Sequence, residues 1–351
     1  MDLARGLALL AVFVAHTAPI GPSSPIPERL LMGADNVAAP LFTLLFGVSA
    51  GLAARSAEQA GQSRGQFRLF FELRALVLIG FGVLADLGQH SVIPILHYLG
   101  AVGLVLIPVL YLRARWLLVM SVGAVVVSAI AMPWAQALQM TLRVQAVQGG
   151  GSGWAENTVA SLVGFVFSDF GYRVSGLLAF ALAGLAVGRI ALQSWGRLMT
   201  LFLVGGALTA GALGVGQLTG ISTDAYAGTA PELVNAIGLA GMVLAASCAL
   251  SATPLRRVLA PVYALGTLTL TFYVAHIVVL GAWASLTGLS DDKWSVLLAL
   301  SVGSLAGAWL IRRRWRRGPA EWLVHQVAQF PLARRRGTRR ATATAGPERL
   351  R

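Results

Sequence analysis

Charged residues are scarce in this sequence. Asp, Glu, Lys and Arg make up 12% of its 351 residues, about half of their share in a typical soluble domain. The apolar residues, 56% of the chain with a mean hydropathy of +0.73, fall in blocks of roughly 20, the length that crosses a bilayer core. The sequence therefore predicts an all-α, polytopic transmembrane bundle in the cell membrane.

Several features of other protein classes are also missing. The sequence has no Walker loop and no GxGxxG fingerprint, so nucleotide hydrolysis has no support. The net charge of +13 comes mostly from arginines in short loops and in the tail after Ile311. This placement favours orientation beside anionic lipid over nucleic-acid binding, which needs a basic, aromatic-studded face. Cys248 is the single cysteine, so no internal disulfide forms.

The apolar blocks predict ten membrane spans. They lie at residues 3–21, 36–54, 74–90, 93–112, 115–135, 174–193, 197–217, 232–251, 260–286 and 293–311. The first block lacks a positive n-region and contains His16, so we expect a retained helix rather than a cleaved signal peptide.

Basic residues alternate between the predicted loops. They follow spans two, four, six, eight and ten, whereas the other loops carry most of the acids and only Arg29, Arg143, Arg173 and Lys293 as bases. Because basic loops stay in the cytoplasm, both termini are predicted to be cytoplasmic.

Outside the spans we expect three further segments. The bundle forms one domain, 1–317, followed by a basic cytoplasmic tail, 318–351, that is disordered from Arg334. Residues 139–156 are predicted to be a flexible outer loop, and residues 157–170 a re-entrant or interfacial helix. Small-xxx-small pairs predict close helix packing; they are Gly47/Gly51, Gly184/Gly188 and Gly303/Gly307.

Ionisable residues within spans are costly and therefore mark candidate sites. Arg5 and His16 are 11 residues apart on the first helix, so they share one face, with a rise of about 16 Å between them. Arg5 lies at the cytoplasmic mouth, and His16 lies deeper. This alignment with Arg5 favours a functional, acid–base role for His16 over a structural hydrogen bond.

Three other histidines and one acid share the outer half. His276 has a depth similar to that of His16, and His90, His97 and Asp35 lie near the outer ends of their spans. A metal site would need a ligand spacing such as HxxxH, which is absent. We therefore predict acid–base roles for His16, His276 and Asp35, and no metal. A structural role is preferred for His90 and stays open for His97 and His276.

Arginines at the inner face are candidates for binding a polyanion, because guanidinium groups match phosphates. Arg74 is the best placed, at the start of an apolar block, and Arg5, Arg68 and Arg113 accompany it. Positive-inside bias is the alternative explanation for most of them.

Short motifs resemble a superfamily of membrane acyltransferases. Residues 2–8 (Asp-Leu-Ala-Arg-Gly-Leu-Ala), ending in Val14-Ala15-His16, resemble its first helix, and the Arg5–His16 spacing is similar to that of family-three acyltransferases. Residues 40–49 resemble the second helix of the YeiB-like and heparan-α-glucosaminide N-acetyltransferase branches. Residues 265–273 and 318–322 resemble the YeiB C-terminal part.

The resemblance implies transfer of an acyl group, with acetyl as the expected one, from cytoplasmic acyl-CoA to an extracytoplasmic amine or hydroxyl acceptor, often on a sugar. It implies that His16 is the base or the acylated residue, and that Arg5 orients the CoA end or holds the helix. The first outer loop, residues 21–33, lacks the histidine expected of the heparan branch.

Two other functions stay open on the sequence alone. A transporter or flippase of a small solute or lipid-linked sugar would need helices broken at matching places in two repeats. A non-catalytic scaffold would tolerate replacement of Arg5 and His16. The oligomeric state is also open, with a homo-oligomer among the alternatives.

Overall fold

A computed structural model describes residues 1–21, 24–29, 31, 33–87, 92–148, 153–169, 171–190 and 194–329. Within these ranges the protein is helical and contains no strand. The helices are α1 (Asp2–Thr17), α2 (Ile26–Arg29), α3 (Gly33–Gln59), α4 (Arg64–Asp86), α5 (Leu96–Leu106), α6 (Ala114–Gln148), α7 (Trp154–Val163), α8 (Val174–Arg189), α9 (Trp195–Thr219), α10 (Ala230–Leu250), α11 (Ala260–Thr267), α12 (Thr269–Thr287), α13 (Trp294–Arg314) and α14 (319–329). A π-helical turn, Gly164–Ser168, follows α7.

Among the described residues, six helices are long and apolar enough to cross a membrane. They are α3, α6, α9, α10, α12 and α13. Leu96–Val109 and α8 are shorter apolar helices. Large apolar side chains such as Val122, Leu203 and Leu298 are exposed on these helices, as expected of surfaces that face lipid. The all-helical membrane architecture is confirmed at this level, whereas the count of ten spans and the positions of the termini stay predictions.

Helix boundaries follow local capping chemistry. The side chains of Ser63, Ser194 and Thr229 accept hydrogen bonds from the first turns of α4, α9 and α10, as Ser and Thr do at N-caps. Gly220 and Gly288 end α9 and α12 in the left-handed conformation, at φ values of 70° and 61°, which glycine adopts without steric cost.

Two segments differ from the sequence prediction. Helix α6 continues to Gln148 and α7 begins at Trp154, so the predicted flexible loop at 139–156 is wrong for residues 139–148 and 154–156. Span nine, predicted as one helix, is broken at Leu268 between α11 and α12. The apolar pattern continues across this break, which is why the sequence did not reveal it. The predicted disordered tail lies outside the described residues.

Close backbone contacts hold the centre of the bundle together. A Cβ on Gly47 would overlap the Ala181 carbonyl oxygen in α8, and a Cβ on Gly184 would overlap the Leu44 carbonyl oxygen in α3. Likewise, a Cβ on Gly266 of α11 would overlap the Asp2 carbonyl oxygen of α1. Glycine therefore sets the spacing of α3 against α8 and of α1 against α11.

Candidate functional site

A cavity of about 590 Å³ opens at the end of the bundle where α1 begins, which is the predicted cytoplasmic end. We call it the basic cavity, because its polar lining includes three arginines. Its apolar wall includes Phe42, Phe46, Phe70 and Leu99. Its polar lining is Arg5, Ser49, Arg74, Thr267, Thr269, Tyr273, Arg317, Glu321 and His325.

Arg5 is held in place from two sides. Its guanidinium donates to the Asp2 carboxylate at 3.1 Å and to the Ser49 hydroxyl at 2.6 Å. The Ser49 hydroxyl in turn donates to the Leu45 carbonyl oxygen at 2.6 Å. These bonds tie α1 to α3 and fix the guanidinium at the cavity wall.

Arg74 has no such support. It lies in α4 and lines the same cavity, and its Nε is buried without a hydrogen-bond partner. Among the described residues the side chain forms no ion pair. A buried cation without a partner is energetically costly. The Glu321 carboxylate in the same cavity offsets part of this charge, and the role of Arg74 in binding an anion stays a prediction.

The two predicted catalytic histidines lie side by side. The rings of His16 and His276 stack, with centroids 5.8 Å apart and planes inclined by 20°. His276 is 1% exposed, and its ring also contacts Phe13 at 5.4 Å. Helices α1 and α12 thus place together two imidazoles that are 260 residues apart in the sequence.

Tyr273 connects the histidine pair with the basic cavity. Its ring meets His276 edge-on at 4.9 Å between centroids, and the same residue lines the cavity. Its hydroxyl accepts a hydrogen bond from the Ile95 backbone N–H at 3.0 Å. One aromatic ring therefore separates the arginine-lined space from the imidazoles.

His276 also borders an apolar groove on its other side. The groove, about 450 Å³, lies between α12 and α13 and is lined by Val279, Trp283, Val296 and Leu300 among others. The histidine pair is thus near two spaces of different polarity.

The remaining predicted site residues lie elsewhere. Arg68 lies with its guanidinium carbon 5.7 Å from the ring centroid of Tyr111, and Arg113 is exposed; neither lines the basic cavity. Asp35 lines a separate pocket of about 20 Å³ beside Tyr226. His90 lies outside the described residues.

A second cluster of buried charges surrounds this small pocket. Arg173 and Glu232 form an ion pair at 3.3 Å with side chains 4% and 7% exposed. The Glu232 carboxylate also accepts from the Gly228 backbone N–H at 3.1 Å. Burial lowers the pKa of Arg173, and the neighbouring Glu232 carboxylate opposes this shift. Nearby, the Tyr98 hydroxyl donates to Asp169 at 3.1 Å.

No group of three or more His, Cys, Asp or Glu side chains that could hold a metal occurs in the part of the chain that the structure describes.

Sequence reasoning missed several lining residues. Glu321 and His325 were assigned to a basic tail, and Arg317 to the last position of the bundle, yet all three line the cavity, the first two from α14. The motif at 318–322 was noticed only as a resemblance. A proline at the first helical position, Pro319, followed two residues later by Glu321 is the signal that could have marked a helix start there.

Comparison with known proteins supports one broad activity. Residues 1–313 match the protein family described as "Acyltransferase domain", while no curated protein matches the sequence significantly. The match confirms the general resemblance to membrane acyltransferases and leaves the YeiB-like and heparan branches untested. Because it extends from α1 almost to the end of α13, the chain belongs to this acyltransferase family, and acyl transfer is the activity that the membership supports.

Proposed function

We propose that the protein transfers an acyl group from cytoplasmic acyl-CoA, with acetyl-CoA as the first candidate, to an amine or hydroxyl on the other side of the cell membrane. One observation supports this most strongly: Arg5 and Arg74 line one cavity, and Tyr273 at its wall contacts His276 beside His16. The residues predicted to bind the anionic donor thus lie next to the residues predicted to transfer a proton.

The basic cavity fits the donor end of this reaction. Its volume of about 590 Å³ lies within the usual range for small-molecule sites. Guanidinium groups form charge-assisted hydrogen bonds with phosphates, and among the described residues Arg74 forms no ion pair that would compete. The aromatic wall of the cavity offers an apolar surface to the rest of the donor.

His16 is the proposed catalytic residue, in one of two roles. As a base, it takes the proton from the acceptor while the acceptor attacks the thioester carbon, and CoA leaves as a thiolate that then gains a proton. As a nucleophile, its imidazole nitrogen forms a bond to the acyl carbon as the C–S bond breaks, and the acceptor later displaces the imidazole. His276 would orient His16 through ring stacking.

The acceptor side is defined less sharply. Asp35 remains a candidate for holding an acceptor amine or hydroxyl, since it lines a pocket with Tyr172 and Tyr226. A sugar acceptor, and membership of the YeiB-like branch, stay part of this proposal because they rest only on the motifs at 40–49, 265–273 and 318–322.

Calorimetric titration of the purified full chain with acetyl-CoA tests the donor. We expect saturable binding that Arg74→Ala weakens about tenfold, the effect of losing a charge-assisted hydrogen bond. Arg113→Ala is the matched control, because it removes the same charge from an exposed site that does not line the cavity. Absence of binding to a folded wild type, or equal weakening by both variants, would contradict the proposal.

Transport of a small solute or a lipid-linked sugar is the second candidate. The break between α11 and α12 favours it, since transporters bind substrates at discontinuous helices. Here, however, the Glu321 carboxylate of the protein itself accepts the hydrogen bonds of the first turn of α12, so these N–H groups are not free for a transported substrate. Acceptor-dependent release of free CoA by the reconstituted protein would select acyl transfer, and flux of an unmodified solute without CoA release would select transport.

A further inference from the structure

Helices α12 and α14 cap each other. The Glu321 carboxylate accepts hydrogen bonds from the backbone N–H groups of Leu270 and Thr271 at 2.8 and 3.1 Å. In return, the Thr271 hydroxyl accepts from the Ala320 backbone N–H at 3.2 Å and donates to Glu321. The first turn of a helix has N–H groups without internal partners, so each helix satisfies part of the other's first turn.

Gly318 permits this close approach. A Cβ at this position would overlap the Thr271 hydroxyl and the Glu321 carboxylate. The chain therefore needs glycine where it turns from α13 into α14. The reciprocal capping and this turn bring the segments 265–273 and 318–322 into direct contact.

The capping places α14 as a wall of the basic cavity. Arg317 lies just before the helix, Glu321 is in its first turn, and Val324 and His325 follow on the same face, since residues three and four apart are neighbours on a helix. Val324 is buried, whereas Arg317 is exposed and its side chain is open to a ligand that enters the cavity.

The charges of the completed cavity favour an anion. Arg5, Arg74 and Arg317 line it together with one carboxylate, Glu321, which is already used as a helix cap. Burial lowers the pKa of His325, and the charges of Arg317 and Arg74 lower it further. His325 is therefore a neutral imidazole near pH 7 that can donate one hydrogen bond and accept another.

We propose that the basic cavity is a phosphate-binding site that α14 completes, with Arg317 and His325 as ligand contacts and Thr271 and Glu321 as positioning residues. That the phosphate belongs to acyl-CoA rests on the proposed function. The α14 contribution lies beyond residues 1–313, which match the acyltransferase family.

The test is calorimetric titration of the full chain in phosphatidylcholine nanodiscs with two probes, acetyl-CoA and inorganic pyrophosphate. We expect Arg317→Ala to weaken the binding of both about fivefold, less than a buried contact because water screens an exposed charge. Arg316→Ala is the matched control: the neighbouring arginine is exposed and does not line the cavity.

The outcomes separate this inference from the proposed function. If Arg317→Ala weakens the binding of both probes and Arg316→Ala does not, the role of α14 and the acyl-CoA donor are both supported. Binding of acetyl-CoA that neither variant changes overturns the role of α14 and leaves the acyl-CoA donor standing. Binding of pyrophosphate but not acetyl-CoA, weakened by Arg317→Ala alone, supports the phosphate site and overturns the donor. Absence of binding of either probe to the wild type overturns both.

The source of the phosphate is separated by lipid composition. If anionic phosphatidylglycerol added to the nanodiscs competes with pyrophosphate in the wild type but not in Arg317→Ala, the site holds a lipid head group. If the lipid does not change the affinity, the ligand is soluble. Either result supports the phosphate site, and competition that is the same in both proteins argues against it.

Thr271→Val tests the positioning role without changing any charge. It removes the hydroxyl that links the two helices, and we expect about threefold weaker pyrophosphate binding. In a double-mutant cycle with Arg317→Ala, most of this loss should disappear, because the two changes act through one group. Fully additive losses would show that Thr271 supports the fold without positioning Arg317.

Discussion

The basic cavity and the Arg173–Glu232 cluster both place charges inside the bundle, but the charges of the two regions differ in their partners. In the cluster, Arg173 and Glu232 bind each other at 3.3 Å, and Gly228 satisfies the carboxylate further. The adjoining pocket measures only about 20 Å³. In the basic cavity, Arg74 has no ion-pair partner among the described residues, beside a space of about 590 Å³.

This difference separates a structural role from a binding role. A charge within a membrane protein is costly and marks a functional candidate by default. A pair that is fully buried and hydrogen-bonded has its charge balanced within the protein. The Arg74 guanidinium has no ion pair among the described residues, and the single carboxylate in its cavity, that of Glu321, is used as a helix cap, so part of the charge balance is left to a ligand. The partners of each charge, and not its burial alone, therefore distinguish the two regions.

The largest expected effect is the loss of stability when the Arg173–Glu232 ion pair is broken. Arg173→Ala leaves the Glu232 carboxylate buried without its cation, which should cost about 3–5 kcal/mol of stability. Thermal unfolding in detergent measures this as a lower Tm. The double variant Arg173→Met with Glu232→Leu should recover part of the loss, because no isolated charge remains. If Arg173→Ala keeps the wild-type Tm but loses activity, the cluster is instead part of a functional site.

The next effect tests the chemistry beside the cavity. His16→Ala should lower acyl transfer about 100-fold or more, the contribution of a positioned general base, while acetyl-CoA binding and the Tm change little. His97→Gln is the control, since His97 stacks with Phe165 away from the basic cavity. Transfer that persists in His16→Ala would remove His16 from the mechanism.

The smallest expected effect is a pH dependence of anion binding. His325 has a lowered pKa and is neutral at pH 7.5, so acidification below about pH 6.5 adds a positive charge to a cavity that Arg5, Arg74, Arg317 and Glu321 also face. Pyrophosphate should therefore bind about threefold more tightly at pH 5.5, beyond the change in His325→Gln. Identical pH profiles of the two proteins would exclude His325 from the site.

Much of the fold followed from hydropathy. Within the described residues each predicted span overlaps a helix or, for span nine, two helices, because apolar blocks of this length satisfy their backbone only as helices in lipid; that all ten cross the membrane stays a prediction. Two of the three glycine pairs also mark close helix contacts. The third does not: Gly303 has open space around it, and Gly307 faces only the Phe272 ring. Spacing shows where an approach is sterically permitted, and the partner helix decides whether it occurs.

The sequence by itself determined the membrane character, the helical class, and the shared face of Arg5 and His16, since all of these depend on composition and on helical periodicity. Only the tertiary structure decided that His276 stacks on His16, that Arg74 joins Arg5 while Arg68 and Arg113 lie elsewhere, and that α14 closes the basic cavity. These relations join distant segments through packing and capping, for which no local pattern in the chain carries a signal.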